Sequence, residues 1–188
     1  MTRVVAGVAG GRRLAVPPAG TRPTSDRARE GLFSTLQALR GPLDGARVAD
    51  LYAGSGAVGL EALSRGASEV LLVESSPKAV AVMRRNVDAL GLPGARVVAA
   101  PVERLVSAPC LDGEKAAYDV VFLDPPYALA DDRVRRVLTD LRAQGWLAEG
   151  AVVAVERATR GGEFGWPEGL SRERERRYGE ATIWYAHG

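Results

Sequence analysis

The chain is poor in the residues that carry metal and nucleophile chemistry. It has one cysteine, Cys110, and one histidine, His187, far apart in sequence. A zinc site or a Cys–His pair is therefore excluded, and no metal centre is expected. His187 stands at the end of the sequence, where chains are usually mobile, which makes it a poor general base. One cysteine cannot form an internal disulfide, so the reducing cytoplasm is the expected compartment. No apolar run approaches the roughly 20 residues of a membrane span. The opening MTRVVAGVAGG lacks the apolar core of a signal peptide. Lysine is also scarce: Lys78 and Lys115 stand beside 23 arginines.

What is present suits a globular chain. The 188 residues are 46% hydrophobic and 26% charged, with 22 Gly and 11 Pro. That is enough for one domain of about 150 residues plus an appendage. The net charge is only +2, but it is segregated. Residues 1–40 hold seven arginines against Asp26 and Glu30, a balance of +5, whereas residues 41–188 balance at −3. A basic N-terminal arm on a mildly acidic body points to a polyanionic partner, with Arg3, Arg12, Arg13, Arg22, Arg27 and Arg29 as candidate phosphate contacts. Arg27 and Arg29 are equally placed to pair with Asp26 or Glu30 on their own helix.

Along the chain, the runs 3–6 and 12–16 read as a hairpin, followed by a turn-rich Pro17-Pro18-Ala19-Gly20. Ser25 caps a helix near 26–40, whose Leu32, Phe33, Leu36 and Leu39 mark one buried face before Gly41-Pro42 stops it. Strand-like runs follow at 47–52, 69–74, 96–99, 118–123 and 151–156, with helix-like stretches near 57–65, 77–90, 101–107 and 131–144. Short β-branched runs separated by helices predict parallel strands buried on both faces. The runs 170–178 and 181–186 close the chain as a hairpin through Gly179, giving a three-layer α/β sandwich. The alternating charges of RERERR, within residues 172–177, fit an exposed, self-compensating edge strand.

The first long strand runs into Asp50-Leu51-Tyr52-Ala53-Gly54-Ser55-Gly56-Ala57-Val58-Gly59. This is G-x-G-x-x-G between a strand and a helix, with Glu74 twenty residues beyond Gly54 at the end of the next strand. A carboxylate there can accept hydrogen bonds from both ribose hydroxyls, so the pair points to an adenosine-type cofactor. NAD would need a hydride-transfer acid or base that the chain does not offer, and the G-x-x-x-x-G-K-[ST] loop of ATP enzymes is absent. S-adenosylmethionine carries its own leaving group and needs positioning more than a strong base. Methyl transfer is therefore favoured.

The fourth of these strands ends in Asp124-Pro125-Pro126-Tyr127. Two prolines fix φ and remove two amide donors, making a stiff loop at the carboxyl ends of the strands, where open α/β sheets bind ligands. An exocyclic base amine is conjugated and weakly nucleophilic. Holding its N–H groups on acceptors frees the nitrogen to pyramidalise. Asp124 offers a carboxylate, the Pro125 carbonyl a second acceptor, and Tyr127 a flat face for an extruded base.

RVVAG…GRRL, TRPTSDRAREGLFSTL, DLYAGSGAVGLEALSRGA and FLDPPY together resemble the bacterial 16S rRNA guanine-N2 methyltransferase family, D-type, over nearly the whole chain. The resemblance implies a class I, Rossmann-like α/β fold with a mostly parallel seven-stranded sheet. It divides the chain into an RNA-docking β-hairpin extension (residues 1–20) and a methyltransferase domain (residues 21–188). It implies S-adenosylmethionine as donor and a guanine N2 of 16S rRNA as acceptor, free or within the 30S subunit, with the protein acting as a monomer. Carried over by position, Asp50, Gly54, Ser55 and Gly56 line the donor, with Tyr52, Ala53 and Ser75 alongside. Glu74 takes the ribose, and Asp124, Pro125, Pro126 and Tyr127 take the amine and base. The family commonly places an aspartate for the adenine amine after the third of the long strands. Here the stretch is Val98-Ala99-Ala100-Pro101-Val102, leaving backbone at Ala100 and Val102, or Glu103.

The alternatives are an adenine-N6 methyltransferase acting on DNA, since Asp-Pro-Pro-Tyr serves N6 amines too, and a non-catalytic RNA-binding assembly factor. Cys110 follows a proline, as does the nucleophile of cytosine-C5 methyltransferases, but it precedes the fourth long strand and so lies at the wrong end of the sheet. Trp146, Trp166 and Trp184 read as packing residues, while Phe164 and Trp166 are also candidates to border the target pocket.

Overall fold

A computed structural model describes residues 2–17, 25–110 and 117–188. Arg22 and most of the turn before the first helix lie outside them. A small antiparallel pair, β1 (Thr2–Arg3) and β2 (Arg13–Leu14), precedes α1 (Asp26–Arg40). The Ser25 side chain accepts from the Ala28 amide, and Gly41, at φ 95°, ends the helix. The main alternation is β3 (Arg47–Leu51), α2 (Ala57–Ser64), β4 (Glu69–Glu74), α3 (Pro77–Leu90), β5 (Ala95–Ala99), α4 (Val102–Val106), β6 (Tyr118–Leu123), α5 (Asp131–Ala143) and β7 (Leu147–Ala158). The hairpin β8 (Ser171–Tyr178) and β9 (Ala181–His187) closes the chain.

The seven main strands form one sheet in the order β5-β4-β3-β6-β7-β9-β8. The pairs among β3 to β7 are parallel, and β9 is antiparallel to both β7 and β8. Even-numbered strand residues (Val48, Val70, Leu72, Val120, Phe122, Val152, Ala154) share a core with α1, α2 and α3. Odd-numbered ones (Ala49, Leu51, Leu71, Val73, Val121, Leu123, Val153, Val155) pack with α4 and α5. Helices α2 and α3 thus cover one face, α4 and α5 the other, and the chain changes face where β3 adjoins β6. That junction is the topological switch point of the sheet.

The N-terminal segment is built into this core. Two-residue strands cannot stand alone. They are held because Val4, Ala9 and Leu14 are buried with Leu32, Phe33 and Leu63, each large side chain contributing about 1.5–3 kcal/mol. Glu61 of α2 is fully buried and accepts from the amides of Val5 (2.6 Å) and Ala6 (2.9 Å) while pairing with Arg65 (2.8 Å). Ser64 bonds the carbonyl of Ala6 and the amide of Ala9. These contacts shorten the expected strands, because the amides of Val5 and Ala6 are drawn to α2 instead of a neighbouring strand.

Candidate functional site

The glycine loop forms a cradle between β3 and α2. Gly54 (φ 56°) and Gly56 (φ 78°) adopt left-handed backbone, as does Tyr52 (φ 62°), a conformation unusual for a residue with a side chain. A Cβ on Gly54 would meet nothing within 4 Å, so the space in front of this backbone is open. Gly59 serves packing instead: a Cβ there would lie 2.4 Å from Leu72 Cδ2 and 2.6 Å from Val70 Cγ1. Gly56, the residue before α2, has no side chain to cap the helix. Asp50 does so from β3, accepting the Gly59 amide at 2.8 Å. Its carboxyl is buried, which raises its pKa to about 7; the charge of Glu74 adds to the rise and the Gly59 amide opposes it.

Glu74, at the end of β4, organises the neighbouring rim. Its Oε2 accepts from the Gly54 amide (3.0 Å) and its Oε1 from the amides of Ser75 and Ser76 (2.8 Å each). The carboxylate is thereby fixed against the glycine loop, with further lone pairs on both oxygens. The Ala53 amide donates to the Val73 carbonyl at 2.9 Å, tying the loop to β4. Beyond β5, the Ala100 amide donates to the Glu74 carbonyl at 3.1 Å, so it is already engaged within the protein. Val102 is buried, and Glu103 lies 3.6 Å from Arg133 and close to Tyr52.

Asp124 follows β6 directly. Register pairs Leu51 with Leu123, and the Asp124 amide donates to the Leu51 carbonyl at 3.3 Å. The acceptor loop and the glycine loop therefore leave the same edge of two adjacent parallel strands. Pro125 is buried, Pro126 exposed, and Tyr127 is 55% exposed. The Asp124 carboxyl has its pKa raised well above the usual carboxylate range, first by burial, then by the charges of Glu156 and Asp50, with Arg157 opposing.

Two residues here were not expected from sequence. Glu156 on β7 is buried and shares strand parity with Asp50, Glu74 and Asp124, so four neighbouring parallel strands carry carboxylates towards one face at their carboxyl ends. The alternation in AVVAVE holds that signal. Asn86 of α3 is also buried. Its amide group donates to the carbonyls of Ser55 (2.9 Å) and Ala15 (3.0 Å) and accepts from the Ala15 amide (2.8 Å), joining the N-terminal segment to the glycine loop. A lone Asn inside an amphipathic helix gives no such hint.

Other candidates fall elsewhere. Arg29 is fully buried and bonds Thr2, Arg3 and Asp26, so it is a structural strut rather than a phosphate contact. Arg3 pairs with Asp26, and Arg12 donates to the carbonyls of Ala89 and Leu90 at the end of α3. Arg13 and Arg27 are exposed. Phe164 is buried in the α5-side core, edge-on to Trp166 at 5.3 Å. Cys110 is buried ahead of β6, and Trp146 packs on Tyr118 while donating to the Ala108 carbonyl. The outer strand β8 compensates its charges, Arg172 pairing with Glu163 and Glu175, and Arg177 with Glu175.

Residues 2–187 match the sequence model of the family described as Conserved hypothetical protein 95. The chain belongs to this family. It is 34% identical to Ribosomal RNA small subunit methyltransferase D of Escherichia coli K12, over 96% of this chain and 86% of that protein. It is 31% identical to the Haemophilus influenzae protein of the same name, over 82% of this chain and 77% of the relative. Among solved structures it is similar to Escherichia coli YhhF, put forward as a methyltransferase, with TM-score 0.84 and 32% identity over 99% of this chain and 97% of that one. The fold is that of the class I methyltransferases, with the expected mostly parallel seven-stranded sheet. Among the described residues, no helix is long and apolar enough to cross a membrane.

Proposed function

We propose that this protein transfers a methyl group from S-adenosylmethionine to the exocyclic N2 of a guanine in 16S ribosomal RNA. The observation that supports this most is the adjacency of the two loops: Asp124 follows β6 where its amide meets the Leu51 carbonyl of β3, beside Gly54. The relatives named as small-subunit ribosomal RNA methyltransferases support the same reading.

The donor fits the residues present. Open space at Gly54 admits a ligand against the backbone, and Glu74, held by three amides, is aimed to accept from ribose hydroxyls. Ser55, Gly56 and Ser75 complete the donor side of this reading, and Ala100 and Val102 the adenine side, where the Ala100 amide is already taken by the Glu74 carbonyl. When bound, S-adenosylmethionine supplies an electrophilic methyl group and its own leaving group.

On the acceptor side, the Asp124 carboxylate takes one N–H of the amine and the Pro125 carbonyl the other. The nitrogen lone pair is thereby turned towards the donor. Tyr127 stacks the extruded base, contributing about 1–3 kcal/mol. The raised pKa of Asp124 suits it to receive the proton that the amine loses. Arg13 and Arg27, exposed members of the basic N-terminal arm, contact the RNA backbone, an electrostatic contact weakened by salt.

Labelled donor with deproteinised 16S rRNA, assembled 30S subunits and DNA, followed by digestion to nucleosides, tests this function. N2-methylguanine from either RNA form is expected. N6-methyladenine would establish the DNA-type alternative, and no label in any substrate would leave a non-catalytic binding protein.

A further inference from the structure

Arg157, near the end of β7, has a side chain only 11% exposed. Its Nε donates to Asp131 Oδ1 at 2.9 Å, at the first turn of α5. One terminal nitrogen donates to the Leu129 carbonyl at 2.6 Å and lies 2.8 Å from Asp131, while the other reaches the Pro126 carbonyl at 3.4 Å. A single planar group thus grips the loop after Asp124 at two carbonyls and joins it to β7 and α5. The loop's own backbone adds the Leu129–Pro126 turn, and Ala130 gives α5 no side-chain cap.

We propose that Arg157 is a positioning residue for methyl transfer, holding the Asp124–Tyr127 loop in its acceptor-binding geometry. This rests on the reading of Asp124 as the group that binds the amine. The guanidinium suits the task because its fixed fork meets several acceptors at once, whereas an ammonium is a point charge that cannot keep all of them in one plane. The positive charge has a second effect. Asp50 from β3 and Glu156 from β7 both oppose ionisation of Asp124, and Arg157 favours it. Arg157 therefore serves as both clasp and counter-charge, and the two can be separated.

The test compares Arg157→Lys and Arg157→Met with the wild-type protein. The Met variant is expected to lose about 10²-fold in kcat, the scale of a misplaced reacting group, while its donor Kd stays within about twofold. The acidic limb of its kcat/KM pH profile should move to higher pH. The Lys variant is expected to restore the position of that limb but not kcat. Amide hydrogen exchange of residues 127–130, measured without substrate, should quicken in both variants. A lower melting temperature with unchanged kcat, pH profile and loop exchange would reduce Arg157 to a scaffold residue, as would equal losses in donor binding and transfer. If the wild-type protein methylates nothing, the functional reading fails. In that case unchanged loop exchange would overturn the clasp, and quickened exchange would uphold it without the catalytic role.

Discussion

The Asp124 amide donates to the carbonyl of Leu51 across 3.3 Å, so the acceptor loop and the glycine loop are joined at their roots. Leu51 and Leu123 are register partners on parallel strands, and the helices that follow these strands cover opposite faces of the sheet. The juxtaposition of the two loops is a consequence of topology, and the side chains at 50, 74, 124 and 156 give this end of the sheet its acidic character.

Glu74 braces three backbone amides, and in the proposed reading it also receives the ribose. Substituting Glu74→Gln keeps one oxygen acceptor but removes the charge. Donor affinity should fall by about 10- to 100-fold, the effect of about 1.5–3 kcal/mol for hydrogen bonds to a charged group. Isothermal titration with S-adenosylmethionine measures it, and an unchanged Kd would remove Glu74 from the ribose.

Asn86 joins Ala15 to Ser55 through three hydrogen bonds, the one to Ser55 buried and the two to Ala15 partly buried. Asn86→Ala leaves an amide and two carbonyls without their partner, so a loss of about 2–4 kcal/mol is expected from groups costing about 1–3 kcal/mol each when unsatisfied. Urea denaturation reads it directly. A loss under about 0.5 kcal/mol would mean that solvent replaces the side chain there.

Asp50 predicts a pH dependence of stability. Its carboxyl is harder to ionise folded, with a pKa near 7, than in an unfolded chain, where the ordinary value is 3.8. Across that window the folded state holds the proton longer, so this group makes stability fall as pH rises, by at most about 1.4 kcal/mol per pH unit. Asp50→Asn retains an acceptor for the Gly59 amide and lacks the titration. The difference in melting temperature between the variant and the wild-type protein should therefore shift in favour of the variant from pH 4 to 7. A constant difference across that range would show that Asp50 does not titrate there.

Much of this architecture is legible in the residues. Ser25 and Gly41 bound α1, and the runs EVLLVE and YDVVFL coincide with β4 and β6 because a strand buried on both faces leaves few alternatives for such a sequence. The start of β7 is not legible. Leu147–Gly150 include Glu149 and a glycine, yet they extend the strand through a register shift against β6 between Tyr118 and Val120. The N-terminal strands are shorter than their apolar runs because Glu61, distant in sequence, takes the amides of Val5 and Ala6. At the site, glycine spacing and Asp-Pro-Pro-Tyr are local signals. Glu156, Asn86 and Arg157 act through partners 26 or more residues away, and no local pattern marks them.

The most direct measurement takes Asp124→Ala and follows two quantities on the same preparation, methyl transfer to RNA and donor affinity by calorimetry. Transfer is expected to fall by at least about 10²–10³-fold, as when a group that stabilises the reacting atoms is removed, with donor Kd changed no more than about twofold. Parallel loss of both would place Asp124 in the donor site, and undiminished transfer would contradict its role in holding the amine.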